Sequence, residues 1–369
     1  MISERLTVSD RIARLIPYQP GKPIDEVKRE LGIVGDVIKL ASNENPLGPS
    51  PLGIAALQAA LPTLALYPDG ACHALRTAVA QKLGVSPSSL IFGNGSDEVI
   101  HLLGLSFLEP GDEIVVGDPT FVLYEAAAML AGATTIKVPL TPGDMRHDVA
   151  VMAAAITDKT RLVFVANPHN PTGSVISKAD VETLLAALPP RAFLVLDEAY
   201  IEYVEGDPEF PQALDWIKAG APVICLRTFS KLYGLAGFRV GYGVAAPEVI
   251  GLLNQPRSPF NVNLAGQVAA AAALHDEEFI ARSRKNNDEG MAQLIEGFKA
   301  FGLSWVPTRA NFIVVNTGKP AKAMFDSLLK QGVIVRAFPK DLPIHLRVTI
   351  GTPEQNARFL DALKVSLAE

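Results

Sequence analysis

The side chains best suited to chemistry come directly after three short apolar runs in the middle of the chain. RLVFVA is followed by NPHNPTG, AFLVL by DEAY, and VICL by RTFSK. Short apolar runs without polar alternation are typical of parallel strands that are buried on both faces. Ligands of such a sheet bind beyond the carboxyl ends of its strands. We therefore expect an Asn, an Asp with a Tyr, and a Lys to converge at one edge of a sheet.

Asp197, the first residue after AFLVL, is costly to bury unless a cation meets its carboxylate. A protonated pyridine nitrogen is one such cation, and a group that holds that proton makes the ring an electron sink. Taken alone, Asp197 is better explained as a helix cap or as the partner of a structural arginine. Its interpretation therefore depends on its neighbours.

Lys231 is the candidate nucleophile, although most lysines are solvated surface charges. It follows a buried run, comes after the hydroxyl groups of Thr228 and Ser230, and leads into the glycine-rich stretch GLAGFRVGYG. Arg239, eight residues later, is a candidate phosphate ligand for the same pocket. A lysine in that setting can lose its proton and form a Schiff base with an aldehyde.

A possible phosphate site is formed by GNGSDE, which follows the short strand LIF and opens the helical run VIHLLGLSFL. The unpaired N–H groups at a helix start, together with a serine hydroxyl, favour a phosphate. The stretch lacks the third glycine of the dinucleotide fingerprint, and the chain has no P-loop GKS/T. On its own this signal is weak, but it supplies an anion site that the lysine site still needs.

The elements that must position these groups alternate helical patterns with apolar runs from about residue 50 to 260. This alternation predicts an α/β fold, with a mainly parallel sheet covered by helices in a large domain. After Asn261 we expect one long helical stretch from about Leu264 to Ala300, then a smaller α/β domain. Its predicted elements are the strands FIVVN, VIVR and HLRVTI, the helix AKAMFDSLLKQG, and a last helix that starts at the capping box TPEQ. The predicted division is an arm over 1–45, a large domain over 46–264 and a small domain over 265–369.

Composition excludes several classes of function. Hydrophobic residues make up 49% and charged residues 20%, which excludes a disordered chain. The net charge of -6 offers no basic surface for nucleic acid or a membrane. Two cysteines and six scattered histidines provide neither a disulfide framework nor a metal site. Without a signal-peptide core or a spanning apolar segment, we expect a soluble, cytoplasmic protein.

The motifs SKLYGLAGFRVGY, ANPHNPTG and VLDEAY resemble those of class II, fold-type-I aminotransferases that depend on pyridoxal phosphate. The wider match is to the histidinol-phosphate aminotransferases within that family. It includes YQPGKPIDEVKRELG, ASNENPLGPSP, LYPDG, FGNGSDE, GDPTFVLY, RSPFNVN and LRVTIGTPEQN. These motifs cover nearly the whole chain in the order of the family, so the resemblance is specific.

The resemblance implies a fold-type-I transferase fold and a role for each matching residue around pyridoxal phosphate. Lys231 would form the Schiff base and carry the proton, and Asp197 would pair with the pyridine nitrogen. Tyr200 and Asn170 would bind the phenolic oxygen of the ring, and Phe121 would stack on its face. The remaining cofactor-binding residues would be Gly95, Ser96, Asp97, Thr228, Ser230 and Arg239.

The same resemblance implies a homodimer in which Tyr67 reaches the phosphate of the partner subunit's cofactor. The arm would pack on both the small domain and the partner. The substrate would meet Tyr18, Asn45, Arg336 and Arg347. The family usually has Asn where this chain has His169, which we interpret as a neighbouring variation without a metal role, because Asn170 is kept.

The reaction implied is the exchange of an amino group between histidinol phosphate or imidazole-acetol phosphate and 2-oxoglutarate or glutamate, in histidine biosynthesis. One pocket must then accept a phosphate monoester and a dicarboxylic acid in turn, which suits arginine. An aromatic amino-acid aminotransferase and a lyase that resembles threonine-phosphate decarboxylase use the same machinery. A regulator that keeps the fold would need an added DNA-binding module, for which the chain has no spare segment.

Overall fold

The computed structural model of the chain describes residues 8–15, 17 and 21–369, so the predicted substrate residue Tyr18 lies outside the described residues. The helices, α1 to α14 in chain order, are Asp10–Arg14, Ile24–Leu31, Pro51–Ala60, His73–Leu83, Ser96–Phe107, Val122–Ala131, Val149–Ala154, Lys178–Ala187, Ala213–Lys218, Pro247–Leu253, Leu264–Ala273, Glu277–Ala300, Ala321–Lys330 and Pro353–Ala368. The strands, β1 to β13, are Ile38–Lys39, Leu90–Gly93, Glu113–Asp118, Thr134–Pro139, Thr160–Ala166, Phe193–Asp197, Val223–Thr228, Gly241–Val244, Ser304–Val306, Phe312–Asn316, Val333–Ile334, Arg336–Phe338 and Leu342–Thr349. Within these described ranges, no helix combines the length and the apolarity that a membrane span requires.

The large sheet contains seven strands in the order β2-β8-β7-β6-β5-β3-β4. Its strands are parallel except β8, which runs antiparallel to both of its neighbours. Side chains of β5 alternate between two apolar cores, with Val163 on one face of the sheet and Phe164 on the other. The predicted parallel sheet, buried on both faces by helices, is therefore confirmed.

A second, four-stranded antiparallel sheet has the order β12-β13-β10-β9 and belongs to the C-terminal part of the chain. The N-terminal segment joins this part, because β1 pairs in parallel with β11. Leu40, which follows β1, packs into the same apolar core as Ile313 and Val348 of the sheet. The segment thus contacts the predicted small domain, while the division of the chain into three parts remains a prediction.

Two sequence predictions for the C-terminal part are wrong in detail. The helical stretch predicted from Leu264 to Ala300 is interrupted, because Asp276 caps α12 by accepting a hydrogen bond from the Phe279 N–H at 3.3 Å. The predicted strand VIVR is divided, since Ile334 pairs with β1 and Arg336 pairs with Arg347 on β13. The division of VIVR depends on strand partners that are distant in sequence, whereas the Asp276 cap is a contact within one helical turn.

The last helix begins as predicted. The Thr352 side chain accepts from the Gln355 N–H, the Gln355 side chain accepts from the Thr352 N–H, and Pro353 is the first helical residue. A capping box depends on residues within one turn, which is why it can be predicted from sequence alone.

We predict that Asp276→Ala lowers the free energy of unfolding by roughly 2–3 kcal/mol in urea denaturation. Besides capping α12, the Asp276 carboxylate accepts from the Ser50 hydroxyl at 2.5 Å and from the Leu52 N–H at 3.1 Å. Asp288, exposed on the same helix, provides a matched control, and Asp288→Ala should change stability by less than about 0.5 kcal/mol. Equal effects of the two substitutions would contradict the capping role.

Candidate active site

Polar side chains from three parallel strands meet at the carboxyl edge of the large sheet. Asp197 is the last residue of β6, Thr228 is the last residue of β7, and Asn167 follows β5. A cavity of about 530 Å³ opens at this edge. Of the residues predicted from sequence, those that line it are Ser96, Asp97, Phe121, Asn170, Asp197, Tyr200, Thr228, Ser230, Lys231 and Arg239.

Lys231 projects into this cavity between the polar groups of its walls. Its Nζ donates to the Ser42 carbonyl oxygen at 3.2 Å and lies 5.8 Å from the centre of the Tyr200 ring. Burial, with a further contribution from the positive charge of Arg347, lowers the pKa of Lys231 from 10.5 to about 8. A substantial fraction of this amine is therefore neutral, and so nucleophilic, near physiological pH.

Asp197 is a buried carboxylate that lines the cavity. Its Oδ2 accepts from the Tyr124 hydroxyl at 2.6 Å, and its Oδ1 accepts from the Ala199 N–H at 3.2 Å. Burial raises the pKa of Asp197 from 3.8 to about 6, against the opposing effect of the Tyr124 hydrogen bond. Within the part of the chain that the structure describes, no ion pair to Asp197 is found. The site therefore presents a carboxylate suited to a cation that the described residues do not provide.

Tyr124 was not selected from the sequence, although it holds Asp197. It is fully buried and stacks on Phe164 at 4.6 Å between ring centres. It also lies three residues after Phe121 at the start of α6, and the two rings meet edge to face at 5.7 Å. The helical spacing of aromatic residues in GDPTFVLY was the signal that could have identified it.

A cradle at the N-terminus of α5 also lines the cavity, through Ser96 and Asp97. Gly95 precedes the helix with φ of +82°, and a Cβ there would lie 2.4 Å from Arg239 Nη2. Arg239 donates through Nη2 to Asp97 Oδ2 at 3.0 Å and through Nη1 to the Ser230 hydroxyl at 3.4 Å. Helix N–H groups, the Ser96 hydroxyl and a guanidinium thus face one space, which is the chemistry of an anion site.

Thr228 and Ser230 connect this cradle to Lys231. The Thr228 hydroxyl donates to the Ser230 hydroxyl at 3.0 Å and accepts from the Ser230 N–H at 3.1 Å. This short turn after β7 directs Ser230 toward Arg239 and the next residue, Lys231, into the cavity. The Thr-x-Ser-Lys spacing therefore determines the directions of the Ser230 and Lys231 side chains.

A second cavity of about 530 Å³ shares Ser42, Phe121, Asn170, Tyr200 and Lys231 with the first, so the two spaces adjoin at the lysine. The two predicted substrate arginines, Arg336 and Arg347, both line this second cavity. They are directly opposite each other on β12 and β13.

Arg347 ties the second cavity to the site around Lys231. Its Nη1 donates to Asn170 Oδ1 at 2.6 Å, and its Nη2 donates to the Ala41 carbonyl oxygen at 2.9 Å. The guanidinium also lies over the Phe312 ring at 5.1 Å. These contacts hold a positive charge at a defined place next to the lysine.

Asn45, predicted to meet the substrate, lines neither cavity. Its Nδ2 donates to the Leu232 carbonyl oxygen at 2.6 Å and to the Ser283 hydroxyl at 2.9 Å, and its Oδ1 accepts from the Leu47 N–H. The amide is thus used to connect chain segments, which argues against the prediction. The neighbouring Asn43 instead lines the second cavity and donates to the Tyr200 hydroxyl at 2.8 Å.

Two further predicted features lie outside the cavities. Tyr67 is 83% exposed and stacks on Phe260 at 4.9 Å between ring centres, so within one subunit it does not reach Arg239 or Ser230. His169 is fully buried, its Nδ1 lies 2.8 Å from the Thr172 hydroxyl, and its ring meets His147 edge to face. Burial lowers the pKa of both histidines, to about 4 for His147. Among the described residues no group of three metal-ligating side chains is found.

Comparison with known proteins agrees with the motifs. The family model of aminotransferase class I and II matches residues 35–363. The chain is 54% identical to the histidinol-phosphate aminotransferase of Moorella thermoacetica, in an alignment covering 97% of this chain and 92% of that protein. It is 48% identical to that of Brevibacillus brevis, over 96% of each. The crystal structure of histidinol-phosphate aminotransferase from Sinorhizobium meliloti in complex with pyridoxal-5'-phosphate has a TM-score of 0.90 to this fold, at 28% identity and 98% coverage of both chains.

The buried carboxyl of Asp197 leads to a stability prediction for the ligand-free protein. Its folded pKa of about 6 exceeds the ordinary value of 3.8, so the folded state binds more protons between these values and stability falls as pH rises through that window. Asp197→Asn removes the ionisable group and with it this pH-dependent loss of stability. We expect the variant to be more stable than the parent by roughly 2–3 kcal/mol at pH 8, with the difference disappearing near pH 4.

Urea denaturation at both pH values measures the effect. Asp215→Asn, at an exposed aspartate on α9, is the matched control and should show no such pH-dependent gain. A difference for Asp197→Asn that is the same at pH 4 and pH 8 would contradict the buried-carboxyl explanation.

Proposed function

This chain belongs to the class I and II aminotransferase family, and from that premise we propose that it is a histidinol-phosphate transaminase. The reaction exchanges an amino group between histidinol phosphate and 2-oxoglutarate, giving imidazole-acetol phosphate and glutamate, in histidine biosynthesis. The observation that carries the chemistry is Lys231, an amine with a pKa of about 8 in one cavity with Asp197 and the cradle of α5. The substrate assignment is supported by relatives of that name at 54% and 48% identity over nearly the whole chain.

Two groups of residues that line the first cavity fit pyridoxal phosphate. The cradle at Gly95, Ser96 and Arg239 combines helix N–H groups, a hydroxyl and a guanidinium, which suits a phosphate. In the same cavity, Asp197 is a buried carboxylate whose donors among the described residues are the neutral Tyr124 hydroxyl and Ala199 N–H, which suits a protonated pyridine nitrogen. When bound, pyridoxal phosphate supplies the electron sink that stabilises negative charge on the substrate carbon.

The protein contributes proton transfer and orientation. We assign two roles to Lys231 Nζ: it would hold the cofactor covalently, and as a free amine it would move the proton at the substrate carbon. Asp197 holds the proton on the ring nitrogen, and a cation next to its carboxylate lowers the pKa of Asp197 from its ligand-free value. Tyr200 and Asn170 are assigned to the phenolic oxygen of the ring, and Phe121 to the ring face.

The second cavity is assigned to the substrate. Arg347 adjoins both Lys231 and Asn170, and its guanidinium can bind a carboxylate or a phosphate monoester through two parallel hydrogen bonds. Arg336, directly opposite on β12, is the second anion ligand. Asn45 is left out of this part of the proposal because its amide is used within the chain, while Tyr18 keeps its assignment from the motif YQPGKP.

We also propose the larger organisation that the motifs indicate. The chain divides into an arm over 1–45, a large cofactor-binding domain over 46–264 and a small domain over 265–369. Two copies form a homodimer in the cytoplasm, with Tyr67 completing the partner's phosphate site. Support for the interface comes from the exposed apolar side chains around Tyr67, namely Leu61, Leu64, Leu66 and Phe260.

Two other activities use the same core residues and are not favoured by the relatives. An aromatic amino-acid aminotransferase differs in the side-chain end of its substrate pocket, and a threonine-phosphate decarboxylase-like lyase differs in the bond that is broken. Each can be separated from the proposal by its product.

A half-reaction assay tests the function. Purified protein should carry a cofactor absorbance that shifts with glutamate and is restored by imidazole-acetol phosphate. Lys231→Ala should abolish the absorbance of the lysine-linked cofactor and lower kcat by about 10⁴-fold or more, because the nucleophile and the proton carrier are one group. Restoration by phenylpyruvate at a comparable kcat/KM would contradict the substrate assignment, and release of carbon dioxide from threonine phosphate would contradict transamination.

The matched control for the lysine is Lys137→Ala. Lys137 lines the second cavity but pairs with Glu125 at 2.8 Å and is absent from the lining of the first. The variant should keep the lysine-linked cofactor spectrum. Loss of that spectrum in Lys137→Ala as well would show that the Lys231 result reports general damage to the cavity.

Subunit complementation tests the contribution of Tyr67 across the interface. Lys231→Ala and Tyr67→Ala should each be impaired alone. After mixing and random subunit exchange, about half of the dimers contain one subunit of each variant, and each such hybrid has one complete site out of two. Activity should therefore recover to about a quarter of the parent value for a two-fold dimer. If Tyr67 acts within its own subunit, mixing restores nothing, because every intact lysine remains beside its own altered residue 67.

A further inference from the structure

We propose that Asn43 is a positioning residue that sets the direction of the Tyr200 hydroxyl hydrogen and links it to the C-terminal sheet. The proposal rests on the proposed function, because Tyr200 is there assigned to the phenolic oxygen of the cofactor. Asn43 is 1% exposed, and its Nδ2 donates to the Tyr200 hydroxyl oxygen at 2.8 Å. Neither the sequence motifs nor the comparisons give this residue a role.

The orientation of the Asn43 amide is determined by Thr349 on β13. The Thr349 hydroxyl accepts from the Asn43 N–H at 2.9 Å, so its own hydrogen is available to donate to Asn43 Oδ1 at 3.1 Å. This hydrogen favours the orientation in which Oδ1 faces Thr349 and the Nδ2 end of the amide faces Tyr200. The direction of the hydrogen bond to Tyr200 is therefore supported by the donor at Thr349.

The donor at Asn43 has a chemical consequence at Tyr200. A hydroxyl that accepts a hydrogen bond from an amide must send its own hydrogen to a different acceptor. Tyr200 lines both cavities, and its ring lies 5.8 Å from Lys231 Nζ. Asn43 thus favours the state in which Tyr200 is a donor toward the space assigned to the phenolic oxygen of the cofactor.

The same residue connects the N-terminal segment to two strands of the C-terminal sheet. Thr349 ends β13, and the Asn311 side chain, next to β10, donates to the Asn43 carbonyl oxygen at 3.0 Å. A displacement of either strand would move Asn43 and with it the hydrogen bond to Tyr200. The orientation of the tyrosine hydroxyl is therefore coupled to the position of the sheet that carries Arg347.

The backbone of Asn43 explains why few residue types fit here. Its φ is +58°, in the left-handed region that asparagine, aspartate and glycine tolerate better than other residues. Asn43→Asp therefore keeps the size and the backbone conformation but removes the N–H donor. Tyr200 would then donate to the new carboxylate, and its hydroxyl would turn away from the cofactor.

The experiment is a spectrophotometric pH titration of the holoenzyme. A hydroxyl that donates to the phenolic oxygen stabilises its deprotonated form, so loss of that donation raises the pKa of the linkage between Lys231 and the cofactor. Asn43→Asp should raise the pH midpoint of the absorbance change by roughly one unit or more. The new negative charge also raises this midpoint, so the titration is repeated in a Tyr200→Phe background, where the shift should be at most half as large. An equal shift in both backgrounds, or none in either, overturns the proposal.

Thr349 offers a second, neutral test in case Asn43→Asp does not fold. Thr349→Val removes the hydroxyl that orients the amide and should raise the midpoint in the Tyr200 protein, whereas Thr349→Ser keeps the hydroxyl and should restore the parent value. Identical midpoints for Val and Ser also overturn the proposal. Failure of the proposed function would be distinct, since the parent protein would then show no cofactor absorbance or no half-reaction.

Discussion

The physical constraint behind this structure is the burial of ionisable groups in the wall of a cavity. Burial lowers the pKa of Lys231 to about 8 and raises that of Asp197 to about 6, so each group moves toward its neutral form. Neither shift would survive at the protein surface, where solvation restores the charge. The sheet that lies beneath the two residues supplies that burial, because β6 and β7 are covered on both faces.

Much of the remaining polar structure serves to hold this cavity in shape. Tyr124 donates to the carboxylate of Asp197, and the Thr228–Ser230 turn directs Lys231 into the cavity. Arg239 lies against Gly95, where any Cβ would collide with its guanidinium. Each support comes from a different element, so the site depends on the relative positions of α5, α6 and two strands. Such a shell keeps catalytic groups within reach of one another.

The substrate side is built from a different part of the chain. Arg347 on β13 reaches Asn170 after β5, and Asn43 connects Tyr200 to β13 through Thr349. The same junction also has apolar contacts, because Tyr200 packs against Ala310 and meets the Phe312 ring edge to face at 5.2 Å between ring centres. The two sheets therefore meet near the lysine through both polar and apolar contacts.

The sequence by itself determined the parallel sheet, the polar residues at its carboxyl edge and the final capping box. These depend on burial periodicity and on contacts within one turn, which a linear pattern records. It did not identify Tyr124 or Asn43, it selected Asn45 instead, and it joined α11 to α12 and β11 to β12. Those outcomes were decided by the tertiary structure, because Asp276 meets Ser50, Ile334 pairs with Lys39 and Asn43 meets Tyr200 across long separations in the chain. Lys231 was one lysine among many in sequence, and only the fold gives it the burial that makes it reactive.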